Sequence, residues 1–93
     1  MLKYKIYAER NFRKQYKRMK IRGLDMSLLD EVIFMLANDI TLPAKYHDHP
    51  LRGDKRGYRD CHVQNDWVLL YKIDKGVLTL ILSATGTHSD ILE

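Results

Sequence analysis

Ninety-three residues, 45% of them apolar and 30% charged, suffice for one globular domain (1–93) with one modest core. No apolar run approaches the roughly 18 residues of a membrane span. The single cysteine, Cys61, excludes an internal disulfide scaffold. The net charge of +4 is unevenly spread: residues 1–22 hold nine Lys/Arg against one acid (+8), and residues 23–93 hold seven against eleven (−4). Such asymmetry points to a polyanionic partner, most often nucleic acid, or else to a helix face that is merely basic and solvated. With no signal-peptide pattern either, a cytoplasmic protein with no membrane partner is expected.

In chain order, Leu2–Tyr7 alternates apolar and basic residues and predicts a short strand with Leu2, Tyr4 and Ile6 on its buried face. From Ala8 to about Ile21 the period changes. Phe12, Tyr16 and Met19 form an apolar stripe, and Arg10, Arg13, Lys14, Lys17 and Arg18 cover the rest, so an amphipathic basic helix stopping near Gly23 is predicted. Asp25 or Ser27 is placed to cap a second helix over residues 27–40, with an apolar face running from Leu28 to Ile40. Pro43 ends the helical region, and a loop over 41–57 follows, long enough to suggest a functional role. Three strands finish the chain: Tyr58–Val63, Trp67–Ile73 and, after the turn at Asp74-Lys75-Gly76, Val77–Thr85. The predicted class is α+β, a two-helix hairpin packed on a twisted, mainly antiparallel four-stranded sheet.

The stretch Tyr46–Trp67 concentrates chemistry, with three of the four histidines, four aspartates and four basic residues. Consecutive hairpins make the last three strands antiparallel. Reversal at each turn then brings His62, Asp66 and His88 to one end of the sheet. His49 and His47 lie on the long loop, and His47, farther from the strands, reads as a surface residue. Cys61 alternates with His62 and is expected to pack inside.

Imidazoles and a carboxylate beside a basic surface suit phosphodiester cleavage. That reaction needs a base at the ribose 2′-OH, an acid at the departing 5′-oxygen and cations at the phosphorane. Lys55, Arg56 and Arg59 are the local cations for the last task. A metal site built from His47, Asp48, His49, His62 and His88 is conceivable but lacks the tight ligand spacing of zinc motifs, so no metal and no cofactor is expected.

The run His-Asp-His-Pro-Leu-Arg-Gly (47–53), then Gly-Tyr-Arg-Asp-Cys-His-Val (57–63), Asp66-Trp67, Tyr71-Lys72 and Thr-Gly-Thr-His (85–88) resembles the YafQ branch of the RelE/ParE toxin superfamily over essentially the full chain. The resemblance implies the toxin half of a bacterial type II toxin–antitoxin pair, a ribosome-dependent endoribonuclease cutting mRNA in the A site. It implies a catalytic set of His49, His62, Asp66 and His88, with Trp67 lining the site. It also implies a DinJ/RelB-like antitoxin partner with an acidic or amphipathic segment, which, like rRNA, would meet the basic first helix. Similar proteins often carry arginine where this chain has Ala84, and an aromatic where it has Leu92. A ParE-like gyrase poison and a non-catalytic RNA-binding module are the alternatives, and gyrase poisons of this fold lack the His/Asp set.

Overall fold

A computed structural model describes residues 3–92. The elements are β1 (Lys5–Ala8), α1 (Arg10–Ile21), α2 (Met26–Ala37), β2 (His49–Pro50), β3 (Arg59–Gln64), β4 (Trp67–Asp74), β5 (Thr79–Thr87) and α3 (His88–Leu92). Short 3-10 turns at Ala44–Tyr46 and Gly53–Lys55 organise the long loop.

The α+β class holds, with two corrections to the predicted sheet and helices. The sheet has five strands in the order β1-β5-β4-β3-β2, because two residues of the long loop, His49 and Pro50, pair antiparallel with the start of β3. Its β1–β5 pairing is parallel while the other three are antiparallel, so the sheet is mixed. A third, short helix follows β5, beyond the predicted helix pair. The alternation read into the first strand also fails in part. Tyr4 is buried, but Ile6 and Tyr7 are exposed on the edge strand, and Leu2 lies outside the described residues.

Both long helices end, and α2 also begins, for local reasons. The α1 stripe buries Phe12 and Met19. Its end is a Schellman turn: Leu24 N–H donates to Met19 O and Gly23 N–H to Lys20 O, with Gly23 at φ +88°. Asp25 caps α2 by accepting from Ser27 N–H. α2 stops three residues short of Ile40 because Asp39 adopts φ +60° and Ile40 N–H turns back to Met35 O. The last turn likewise runs longer than predicted. Asp74 Oδ1 accepts from Gly76 and Val77 N–H, and β5 starts only at Thr79.

One core joins Phe12 and Met19 of α1 and Leu29, Val32 and Leu36 of α2 to Cys61, Leu69, Tyr71, Leu80 and Leu82 of the sheet. Full burial of side chains such as Leu29, Leu69 and Leu80 is worth about 1.5–3 kcal/mol each. Alternation along β3 places Cys61 and Val63 on this helix-covered face, which leaves Asp60 and His62 on the other. Burial pushes the Cys61 thiol well above its ordinary range, so it stays protonated. α3 folds back toward Gly86, where an added Cβ would meet Ile91 Cδ1 at 3.6 Å. That distance is an ordinary van der Waals contact, so the backbone at φ +157°, and not the space, accounts for the glycine.

Candidate nuclease site on the open face of the sheet

Strand register builds the site in two rows across the face opposite α1 and α2. His49 pairs with Asp60, Asp60 with Leu70 and Leu70 with Ala84. The next row runs His62, Val68, Gly86. His49 faces Asp60, so two residues back along β2 and two forward along β3 set His47 opposite His62. The rings confirm this, packing edge-on with centroids 5.5 Å apart. The reading of His47 as remote was therefore wrong: antiparallel pairing of β2 folds the loop back over β3.

His62, Asp66 and His88 gather at one sheet end as predicted. The His62 and His88 rings lie 6.4 Å apart. His88 N–H donates to Asp66 O at 3.0 Å, with Asp66 Oδ1 at 3.4 Å. The tight turn between β3 and β4, with Asn65 at φ +49°, makes this possible. His62 Nδ1 lies 3.3 Å from Asn65 O, which assigns the proton to Nδ1 and leaves Nε2 free.

His49 is held differently. Its Nδ1–H donates to His47 O at 2.7 Å, and its Nε2 lies 3.5 Å from Asp60 Oδ2. Asp60 is fully buried, and among the described residues neither carboxylate oxygen receives a hydrogen bond. A buried carboxylate left this way is costly and marks a functional surface more often than a stabilising one. Its place beside His62 was available from alternation along β3, but the sequence reading passed over it.

The expected phosphate cations are not brought beside His62. Arg59 points to the helix-covered face, where its Nε donates to Asp48 Oδ1 at 3.2 Å and Tyr71 OH donates to the same oxygen. Burial opposes the Arg59 charge, but bonding to Asp48 and Tyr71 outweighs it, so the guanidinium is held more firmly charged. Burial and the Asp48 hydrogen bond push the Tyr71 hydroxyl up. Lys55 and Arg56 sit beyond Arg59, itself about 10 Å along β3 from His62. Ala84 is buried in the row of His49 and Asp60 and offers only a methyl group.

Trp67 is buried, and its indole N–H donates to Thr85 Oγ1 at 2.9 Å. It anchors the core and lines a cleft of about 570 Å³ with Gln15, Arg18, Arg22 and Asp66. Arg10, Arg13, Lys14 and Lys17 share an exposed groove on α1. Arg18 is exposed too, but turned toward the Trp67 cleft. Among the described residues no three His, Cys, Asp or Glu side chains converge closely enough to hold a metal ion.

The strand–helix–helix–sheet scaffold and its gathered histidines are those of a small bacterial toxin of a type II toxin–antitoxin system. Residues 4–93 match the family of bacterial toxins of type II toxin–antitoxin systems called YafQ, and the chain belongs to that family. It is 39% identical over 90 residues to the mRNA interferase toxin YafQ of Escherichia coli K12, covering 96% of each chain. The crystal structure of the E. coli DinJ–YafQ complex superposes with a TM-score of 0.87 at 37% identity, covering 97% of this chain and 99% of that one. A metal-bound toxin from Helicobacter pylori superposes at 0.89 with 38% identity, over 99% and 100% of the two chains.

Proposed function

We propose that this toxin is a ribosome-dependent endoribonuclease that cuts mRNA in the A site and so inhibits translation. The observation that carries the reading is the convergence of His62, Asp66 and His88 at one end of the open face. The relatives' name, mRNA interferase toxin, supports it.

In this reading the free Nε2 of His62 takes the proton from the ribose 2′-OH. The 2′-oxygen attacks phosphorus, the P–O5′ bond breaks, and His88 gives a proton to the departing 5′-oxygen. Asp66 positions His88 through its backbone N–H. His49, held between His47 O and Asp60, flanks the reacting phosphate on the β2 side. Lys55 and Arg56 contact the RNA backbone farther along the strand, and Arg59 has no part in it. The ribosome holds the mRNA in the attacking geometry, a positioning effect worth several kcal/mol. A cognate antitoxin, acidic or amphipathic and comparable to the DinJ of the E. coli complex, covers the basic face of α1, the site, or both. The setting is the cytoplasm.

No protein-held metal takes part in this scheme, although the H. pylori relative was crystallised with one. The products should carry a 2′,3′-cyclic phosphate or 3′-phosphate and a 5′-hydroxyl. Metal analysis of purified protein together with end-group chemistry tests this. Stoichiometric zinc or copper whose removal abolishes cutting, or 3′-hydroxyl ends, would contradict it.

A further inference from the structure

We infer that Lys45 and His47 form a phosphate-binding lobe beside His62, a part of the site outside the His49, His62, Asp66 and His88 set. The inference deepens the nuclease reading and rests on it for the identity of the ligand, the backbone phosphate of an RNA next to the scissile bond.

Three observations converge on this lobe. The first is geometric. The 3-10 turn Ala44–Tyr46 and the end of β3 enclose an open cavity of about 420 Å³, lined among others by Lys45, Tyr46, His47, His62, Gln64 and Asn65. Its described lining residues include no carboxylate, whereas the neighbouring Trp67 cleft contains Asp66 and Asp90. Three cation-capable side chains (Lys45, His47 and His62) and two amides around a carboxylate-free hollow suit an anion.

The second is elimination among the cations that the sequence offers for the phosphate. A phosphorane needs positive charge close to His62. Arg59 is turned away and paired with Asp48, Lys55 and Arg56 lie toward the far end of β3, and position 84 is an alanine. Lys45 and His47 line the same cavity as His62.

The third is backbone conformation. His47 adopts φ +48°, ψ +42°, a left-handed conformation uncommon for residues other than glycine, although Asn, Asp and His enter it more often than the rest. It is maintained because the next residue, Asp48, is fastened to Arg59 and Tyr71 on the opposite face. With Asp48 pinned inward, the exposed His47 ring is presented against His62. Local strain over-determined by its surroundings is characteristic of functional positions.

The test uses two readouts. An RNA trinucleotide with 2′-deoxyribose at the scissile position cannot be cut, and its binding is followed by NMR of the full-length protein. Cleavage of ribosome-bound mRNA is followed separately. His47→Asn keeps a residue tolerant of the left-handed backbone but removes the imidazole. It should weaken trinucleotide binding about 10- to 100-fold, the effect of losing one charge-assisted contact. His47→Lys should recover most of the loss, and Lys45→Gln should weaken binding with the fold intact, which decides the matter should His47→Asn prove unstable. Wild-type binding by both neutral variants would overturn the lobe. If the neutral variants lose trinucleotide binding while the wild type cuts no mRNA on ribosomes, the lobe stands and the nuclease reading fails.

Discussion

His62→Ala and His88→Ala should each lower cleavage of ribosome-bound mRNA by roughly 10²–10⁴-fold, the usual contribution of a positioned acid or base. The two rings lie 6.4 Å apart on one face, and each is only partly buried, so neither replacement opens a core cavity. The melting temperature should therefore stay close to wild type while the primer-extension stops disappear. The double variant should be little worse than the poorer single one, because a base and an acid that serve one displacement do not contribute independently. Full cleavage by His88→Ala would remove the proton-transfer scheme. Loss of cleavage accompanied by unfolding would make these residues structural.

Asp48→Ala should damage stability and activity together. Asp48 Oδ1 receives both Tyr71 OH and Arg59 Nε, and Tyr71 is only 1% exposed. Removing the carboxylate strands a buried hydroxyl, at about 1–3 kcal/mol. The Arg59 pair adds less, because its side chain is 39% exposed and screened by water. A total loss of about 1–4 kcal/mol is expected in urea unfolding. Tyr71→Phe removes the hydroxyl with its need for a partner and should cost only about 1 kcal/mol. Cleavage should fall further in Asp48→Ala than in an equally destabilised core variant, because the residues on either side are His47 and His49. If Asp48→Ala matches wild type in both assays, the clamp has no role.

Much of this arrangement could be read from the residues. The meander of β3, β4 and β5 follows from alternating runs separated by turn formers, and antiparallel reversal alone brings His62, Asp66 and His88 together. The helix stop near Gly23 was equally direct, and of the two cap candidates Asp25 and Ser27 the structure selects Asp25. What escaped was tertiary. Two residues, His49 and Pro50, form a strand only because β3 offers them a free edge, and no local pattern in so short a segment signals that. The same pairing moves His47 from a remote loop to a ring contact with His62. Arg59 was misjudged although alternation with His62 already put it on the face of Cys61; its partner Asp48, on the distant loop, was what the sequence did not show. Asp39, in a left-handed turn, ended α2 where hydrophobic periodicity alone ran on to Ile40.

The central claim is that this face cuts RNA through the substrate's own 2′-hydroxyl while the ribosome holds it. The most direct measurement places an mRNA on purified ribosomes with either a ribose or a single 2′-deoxyribose at the A-site cleavage position, adds the toxin and maps the ends by primer extension. The account predicts one strong cut in the all-ribose message, none at the deoxy position, and negligible cutting of either message without ribosomes. Equal cutting of the deoxy-substituted message would contradict it.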